Sequence, residues 1–574
     1  MTSLLGIAQS QSAKPLAKSV EQTELQRGQE AVSRGDLAAA RSEFEKAVRI
    51  APSDAEAQSA LGWVEVQQGE ADAAVTHLKL AIKVKPGFVE ARMTLAGVLA
   101  QQGKSAEAIN EARAAVKIAP RNSEAHRLLG RILSSQNSLE EAVAEMRRAW
   151  ELAPERADLR DDLGSLLAQQ NKSTDAESAF HDAIRLEPGL ESAHFHLGVM
   201  ELQSQRWDDA AGELKAALAL SPRDANAHYY LAKTFTAQGN NGSALEELHK
   251  SVELRPDSFD WQIELGIACQ HAGDIDCAVT AFGQGTKLHS EDAEAYNDLG
   301  LALVEKGDAL GSIPDFQMAA KLRPEDGAFR GNLAIAYLQR ADFDAAIAEL
   351  DQALKLAPDN ASLHYNLGLA YKLKDQLDKA VTEFQRAIAL QPDLADAHYT
   401  LGVLDWQKGD FDQATGELQK AIQSRPDYAE AHYTLGTVLK QQGKMPDAAT
   451  ELKEAIRLQP DFAGAHTTLA GVLRQLGDGQ GAAAEARAGA EIAASTNNRQ
   501  AATFATNSGK RLLNAGDIEG AMAQFRSAIQ SEPNFAAAHY ELGLALRQGG
   551  QAEEAKKEFQ RAVELDSHLT PPTP

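Results

Sequence analysis

Residues 429–462 read AEAHYTLGTVLKQQGKMPDAATELKEAIRLQPDF. Leu435 and Leu439 recur one helical turn apart, which predicts a first helix with one apolar face. Gly443 follows this helix, where a C-terminal glycine can adopt a positive φ. A second helix fills the remainder as far as Pro460, which ends it and stiffens the link to the next helix. The stretch therefore predicts helix, turn, helix.

The proline at 460 is one of a series that recurs every 34 residues. From 52 to 460 there are thirteen such slots; proline fills twelve of them, and Ser290 fills the other. A fixed period of this length indicates stacked copies of one structural repeat. Ending each repeat two residues after its slot divides the chain into an N-terminal polar segment (1–20), fourteen repeats (21–496), a five-residue break (497–501), two further repeats (502–569) and a proline-rich tail (570–574).

Three positions, compared across the aligned repeats, explain how the repeats would stack. Position 8 is Gly or Ala in all sixteen repeats, position 20 is Ala in fifteen, and position 24 is mostly Phe or Leu. Small residues let helix backbones approach closely, and bulky partners fill the gaps. With proline at position 32, this pattern resembles the tetratricopeptide repeat over 544 of 574 residues.

The resemblance implies an all-α fold: an α-solenoid in which antiparallel helix hairpins form a right-handed superhelix, with the first helices lining a concave groove. It also implies a non-catalytic protein–protein interaction scaffold that binds extended polypeptide segments in that groove. The alternative is a structural assembly factor of a secretion or envelope complex, acting through its convex face or array ends. The last repeat has no polar capping helix after it, which predicts exposed apolar surface and self-association.

Charge narrows the class of partner. With 82 acidic and 57 basic residues the net charge is −25, which disfavours nucleic acid and anionic lipid. No apolar run approaches the ~20 residues of a membrane span. We expect a soluble protein, cytoplasmic as written, or periplasmic or secreted if residues 4–8 end a signal peptide that starts upstream of Met1.

Positions 5 and 6 of the repeat are the candidate groove contacts, because the resemblance places them on the concave side. Tyrosine there offers contact area, and Asn or Thr can pair with an extended backbone. The candidates are Phe195, Tyr229, Asn332, Tyr365, Asn366, Tyr399, Thr400, Tyr433 and Thr434. A second interpretation stays open, in which the tyrosines pack between adjacent first helices and the threonines are filler. Position 2 is mostly acidic or neutral, and Arg127 is the only basic residue at position 5. A neutral or basic partner is therefore expected, rather than a peptide carboxylate.

Histidine and cysteine carry the remaining chemical hypotheses. Eight histidines occupy position 4: His126, His194, His228, His364, His398, His432, His466 and His539. Half-buried packing is favoured over a metal ladder, because neighbouring helices ~8–10 Å apart hold equivalent histidines too far apart to share one zinc ion.

Cys269 and Cys277 are too few for a disulfide scaffold or a cysteine-based zinc site. Two small buried thiols are favoured over a bridge. Catalytic motifs are missing, so no enzyme activity, cofactor or metal is expected.

Two places break the repeat rule. Between 280 and 315 the chain has Ser290 in a proline slot, Gly283 and Gly285 within a helix, and Pro314 in the ninth repeat's second helix. Residues 312–315 resemble a capping box that would start that helix late. We predict a hinge or early-melting segment there. The break at 497–501 is expected to let the last two repeats tilt.

Overall fold

A computed structural model describes the backbone of residues 8–570 and the side chains of residues 21–570. The chain divides into an N-terminal unit, Met1–Ala295, and a C-terminal unit, Tyr296–Pro574. All regular secondary structure in the described range is helical. The helices of the N-terminal unit are α1 (Ala8–Ser33), α2 (Leu37–Ile50), α3 (Ala55–Gln67), α4 (Ala71–Val84), α5 (Val89–Gln101), α6 (Ser105–Ile118), α7 (Ser123–Ser135), α8 (Leu139–Leu152), α9 (Ala157–Gln169), α10 (Ser173–Leu186), α11 (Glu191–Gln203), α12 (Trp207–Leu220), α13 (Ala225–Ala237), α14 (Asn241–Leu254), α15 (Phe259–His271) and α16 (Ile275–Leu288).

Helix α17 (Ala293–Glu305) contains the boundary between the two units. The C-terminal unit continues with α18 (Ala309–Leu322), α19 (Gly327–Gln339), α20 (Phe343–Leu356), α21 (Ala361–Leu373), α22 (Leu377–Leu390), α23 (Ala395–Lys408), α24 (Phe411–Ser424), α25 (Ala429–Gln441), α26 (Met445–Leu458), α27 (Ala463–Gln475), α28 (Gly479–Asn514), α29 (Ile518–Ser531), α30 (Ala536–Gln548) and α31 (Ala552–Leu565).

Each repeat is a pair of helices joined by a tight turn, and consecutive helices pack against each other. In residues 429–462 the turn between α25 and α26 uses Gly443 at φ +78°, a conformation that costs glycine little. Pro446 lies in the first turn of α26, where a missing N–H loses no helical hydrogen bond. The all-α architecture of helix hairpins is confirmed.

The small residues at position 8 are required by close contact with position 24. A Cβ added to Gly436 would lie 2.7 Å from Leu452 Cγ, and one added to Gly164 would lie 2.6 Å from Phe180 Cε1. Leu452 and Phe180 are themselves fully buried. Most repeats therefore close their hairpin by placing one large side chain directly over a residue with little or no side chain.

Successive repeats are also joined by a polar contact outside the core. In several repeats the residue at position 14 reaches back to an acid at position 18 of the preceding repeat. Gln102, Gln238 and Gln442 donate from Nε2 to Asp72, Asp208 and Asp412 over 2.7–3.0 Å. The two partners of each contact are thirty residues apart, so each contact links one hairpin to the next.

The five residues at 497–501 interrupt the repeat but not the backbone. They lie inside α28, one helix of 36 residues that joins the second helix of the fourteenth repeat to the first helix of the fifteenth. Ala494 takes the next slot of the proline series, so no proline ends the helix there. The interruption is an insertion within a helix rather than a linker.

The second helix of the ninth repeat starts at Ala309, as in other repeats, and the expected late start is wrong. Asp308 caps α18 by accepting from Gly311 N at 2.8 Å. Ser312 instead donates to Ala309 O at 2.9 Å, so it does not cap. Pro314 consequently lies inside α18, where it cannot donate to the Leu310 carbonyl.

The chain ends are described only in part. Residues 8–20 are helical and continue into the first repeat, so α1 begins before the repeat boundary at 21. Residues 1–7 of the N-terminal segment and 571–574 of the tail lie outside the described residues.

Candidate interaction surface

Positions 5 and 6, the candidate groove positions, contact each other between successive repeats. Position 5 of one repeat meets position 6 of the next, thirty-five residues later. The pairs are Arg127 Nε with Asp162 (2.6 Å), Asp161 with His196 Nδ1 (2.9 Å), Tyr229 OH with Glu264 (2.8 Å) and Asn332 Nδ2 with Asn297 Oδ1 (2.8 Å). Many of the polar side chains that were expected to bind a ligand are therefore hydrogen-bonded between neighbouring first helices.

In the N-terminal unit, the predicted contacts Phe195 and Tyr229 pack within the array. The Phe195 ring meets Tyr230 edge-on, with ring centroids 5.7 Å apart, and Tyr229 stacks on Trp261 at 4.8 Å. Burial and the hydrogen bond to Glu264 raise the pKa of Tyr229. Both rings therefore make contacts between successive repeats.

The only basic side chain at position 5 is neutralised. Arg127 bonds Asp158 through Nη1 at 2.7 Å and Asp162 through Nε at 2.6 Å. It is therefore not available as a free cation for a peptide carboxylate.

A buried polar cluster near these residues resembles a catalytic triad only in composition. Asp161 is 4% exposed and accepts from Ser192 Oγ at 2.7 Å. Burial disfavours the charged His196 ring, but the bond to Asp161 and the charges of Asp161, Asp162 and Glu191 together outweigh it and raise the pKa of His196. Ser165 Oγ (3.3 Å) and Asp161 (2.9 Å) both approach the same atom, His196 Nδ1. A relay needs the serine and the acid on opposite ring nitrogens, so this cluster is an ion pair that joins two repeats.

In the C-terminal unit, four of the predicted contact residues are largely buried or already hydrogen-bonded to other residues of the array. Asn332 is bound to Asn297. Burial raises the pKa of Tyr365, and hydrogen bonding to Thr400 works against that shift. Thr400 and Thr434 are 5% and 4% exposed, so little of either side chain is accessible.

The remaining three predicted contacts keep unused polar groups. Tyr399 packs on Tyr428 with ring centroids 4.9 Å apart, and Tyr433 packs on Phe462 at 4.6 Å. Both tyrosines and Asn366 are half-buried. Within residues 21–570, neither tyrosine hydroxyl nor the Asn366 amide has a side-chain hydrogen-bond partner.

The position-4 histidines form a bonding pattern that sequence reasoning missed. In all eight repeats Nδ1 lies 2.5–2.6 Å from a glutamate nineteen residues later, at position 23. Nε2 lies 3.0–3.2 Å from the carbonyl oxygen of the preceding slot proline. Both ring nitrogens are engaged, which leaves neither for a metal ion. Burial alone would raise the pKa of Glu417, but bonds from Lys420 and His398 hold it below its usual range.

Other residues at position 4 make part of the same pattern. Gln58 and Gln262 donate to the carbonyls of Pro52 and Pro256 at 2.8 and 3.0 Å. Arg330 bonds Glu349 at 2.8 Å, as the histidines bond their glutamates. The sequence did contain a signal for this contact: a hydrogen-bond donor at position 4 occurs together with an acid at position 23 of the same repeat.

The two cysteines are bonded to each other, against the expectation of two small buried thiols. Cys269 on α15 and Cys277 on α16 form a disulfide with Cα atoms 5.8 Å apart. Positions 11 and 19 face each other across the hairpin turn at this distance, within the range that a disulfide spans. Cys269 is fully buried, and Cys277 is half-buried.

Among residues 8–570, no helix is both long enough and apolar enough to span a bilayer.

Comparison with known proteins gives one recurring match. Family models described as tetratricopeptide repeat match residues 25–87, 65–132, 123–156, 162–225, 201–259, 263–327, 433–498 and 506–569. A model described as TPR repeat matches 334–375, 371–408 and 404–443. An uncharacterized protein of Methanocaldococcus jannaschii is 36% identical over 73 residues, which are 13% of this chain and 85% of that protein.

Solved structures also resemble the chain. PilF of Pseudomonas aeruginosa is 22% identical with a TM-score of 0.33, covering 36% of this chain and 95% of that one. The APC/C hetero-tetramer Cut9–Hcn1 is 16% identical with a TM-score of 0.35, covering 93% and 98%.

Proposed function

This chain belongs to the tetratricopeptide repeat family of protein-interaction scaffolds, and we propose that it binds an extended polypeptide segment without catalysing a reaction. The proposed site is the row of first-helix positions 5 and 6 in residues 361–462. This row contains the three predicted contacts whose polar groups have no side-chain hydrogen-bond partner within residues 21–570, Asn366, Tyr399 and Tyr433.

One observation carries the proposal: Asn366, Tyr399 and Tyr433 follow one another in three successive repeats, and each keeps an unpaired polar group. An amide offers a donor and an acceptor to a peptide backbone, and a phenol offers one of each. The half-buried rings are held by Tyr428 and Phe462, so little side-chain freedom remains to be lost on binding.

The spacing suits an extended peptide. Successive first helices touch through the contacts between positions 5 and 6, which places their axes about 10 Å apart. An extended chain advances ~3.3 Å per residue. Each repeat therefore matches about three peptide residues, and the three repeats match a segment of roughly nine.

Charge defines the class of peptide. The net charge of −25 favours a neutral or basic partner over an acidic one. Beside the row, at position 2, Asp396 is held by Arg425 at 2.7 Å and by Tyr428 OH at 3.1 Å. The groups left for recognition are thus neutral and suited to the peptide backbone.

The test is selection of random peptides of about twelve residues against the full-length chain, followed by affinity measurement on variants. Asn366→Ala, Tyr399→Phe and Tyr433→Phe each remove one polar group, and the two phenylalanines keep the ring packing. Each should weaken binding by about 2- to 12-fold, the value of one net hydrogen bond. Thr450→Ala, on the exposed surface of α26, is the matched control and should change nothing. Unchanged affinity in the triple variant would contradict the site.

A structural assembly factor is a second candidate function, favoured by one exposed side chain. Phe504 on α28 is 72% exposed and lines a cleft of about 630 Å³ with Ile492, Thr496 and Thr503. Among residues 21–570 no other large apolar side chain is as exposed, and with Ile492 it gives the cleft an apolar part that a partner could cover. Light scattering over a range of concentrations should show association of the wild type that Phe504→Gln abolishes. A wild type that stays monomeric throughout would count against assembly through this face.

A further inference from the structure

Three side chains with metal-binding atoms converge where the seventh and eighth repeats meet. His249 lies on α14, Cys269 on α15 and Cys277 on α16. One ligand atom from each lies within 4.8 Å of the others. His249 Nε2 is 3.6 Å from Cys277 Sγ. Within residues 21–570 this is the one group of three such residues that meets this distance.

The donor set selects a particular class of ion. Thiolate sulfur is a soft ligand that suits zinc and copper(I), and imidazole suits zinc as well. Cys277 lies in the first turn of α16, which begins at Ile275. A helix N-terminus favours the thiolate over the thiol.

We propose that the reduced pair Cys269 and Cys277, together with His249, binds one thiophilic divalent metal ion, and that the disulfide between the cysteines excludes it. A dithiol or phosphine reductant supplies two electrons, and the two sulfurs take up two protons. Metal binding then releases both thiol protons, leaving two thiolates and a neutral imidazole as ligands. Three protein ligands leave the fourth tetrahedral position for water.

The geometry permits this exchange with little movement. Two sulfur ligands of a tetrahedral zinc lie ~3.8 Å apart, because each Zn–S bond is about 2.3 Å. The Cα atoms are 5.8 Å apart, and half-buried Cys277 can open the pair by side-chain rotation. Exposed His249 gives an ion a route from solvent, while fully buried Cys269 holds the inner side of the site.

The spacing of these three residues in the sequence does not reveal the site. The cysteines are eight residues apart, and the third ligand comes from the preceding repeat, twenty residues before Cys269. Only the stacking of α14 against α15 and α16 brings His249 to the pair. A bound ion would therefore link two repeats, and it should stabilise this end of the N-terminal unit against unfolding.

The experiment titrates the full-length chain with cobalt(II) and then displaces cobalt with zinc. In phosphine-reduced wild type we expect one ion per chain, with the absorption of tetrahedral cobalt and a thiolate-to-metal charge-transfer band. His249→Ala should weaken zinc binding by more than the roughly 10- to 100-fold typical of losing an outer-shell partner. Cys277→Ser should lose the charge-transfer band. His271→Ala is the matched control, since His271 is an exposed histidine two residues from Cys269, and it should bind as wild type does.

Each result decides the assignment. Binding by reduced wild type and by His271→Ala, but not by oxidised wild type or Cys277→Ser, supports it. Wild-type affinity in His249→Ala overturns the third ligand, and absence of a charge-transfer band in reduced wild type overturns the site. Because His249 is exposed, its variant tests the site without disturbing the core.

Discussion

Nδ1 of His432 lies 2.6 Å from Oε2 of Glu451, nineteen residues later, and this contact joins the two helices of one repeat. Nε2 of the same ring lies 3.2 Å from the Pro426 carbonyl oxygen. A carbonyl and a carboxylate both accept hydrogen bonds, so only the protonated ring, with two donors, satisfies them together. Consistently, the bond to Glu451 raises the pKa of His432.

The first prediction concerns pH. Because the pKa of His432 is higher in the folded protein, its contribution is complete below the unfolded value of about 6.5 and is lost as pH rises through the folded pKa. His432→Gln should keep the bond to Pro426, as Gln58 and Gln262 do with their prolines, and lose the ion pair. We expect it to lower the stability of α25 and α26 by about 1 kcal/mol near pH 5, and by less near pH 9.

Hydrogen exchange of the α25 and α26 amides, corrected for intrinsic rates, measures this difference. His568→Gln, at an exposed histidine in the last repeat, is the control and should have no pH-dependent effect on these helices. A loss in His432→Gln that is equal at both pH values would show that the ring acts through packing alone.

The second prediction concerns Asp315, which occupies the same position 23 in the ninth repeat. Position 4 there is Tyr296 rather than histidine, and burial raises the pKa of Asp315 to about 6. A carboxyl with a raised folded pKa costs stability as pH rises from its unfolded value of about 4 through 6. Asp315→Asn should therefore stabilise α18 by about 1 kcal/mol at neutral pH and have little effect near pH 4.

Protection of the α18 amides at both pH values checks this, with Asp393→Asn at an exposed turn aspartate as the control. If the Asp315 variant is not more stable than wild type at neutral pH, burial of its charge has no measurable cost.

The third prediction concerns the turn between the two helices of a repeat. Position 15 has a positive φ at Gly443 (+78°) and at Ala341 (+62°). A side chain at this conformation costs roughly 1 kcal/mol that glycine avoids. Ala341→Gly should raise and Gly443→Ala should lower local stability by about that amount. Exchange protection of the flanking helices measures both, and the same sign for the two changes would refute the argument.

The hairpins could be read from the sequence because their signals are local. Gly443 and Pro460 act through the φ and the missing N–H of one residue, and the column at position 8 reports a contact inside one hairpin. The slot proline is absent at both Ala494 and Ser290, yet the helix continues through Ala494 and ends at Leu288 before Ser290.

The surface could be predicted only in part, because it depends on contacts between repeats. Asn332 and Asn366 share one column, yet Asn332 is bound to Asn297 while Asn366 has no such partner among residues 21–570. The difference comes from the residue at position 5 of the preceding repeat. Comparing position 6 alone across the repeats does not reveal it. The same holds for His249 and the cysteines, which meet only through the stacking of two repeats.

The last prediction concerns the segment 280–315, which also contains the boundary between the two units. Gly283 has no neighbour within 4 Å of an added Cβ, so it weakens α16 without a packing reason. Pro314 removes a donor from the interior of α18, and Leu310 on the same helix is 61% exposed. We expect amides of α16 and α18 to exchange through openings of lower free energy than those of residues 395–460. Pro314→Ala should raise α18 protection by up to about 3 kcal/mol, whereas Pro446→Ala in the first turn of α26 should change little. Equal protection of the two segments in the wild type would rule out a weak point at this position.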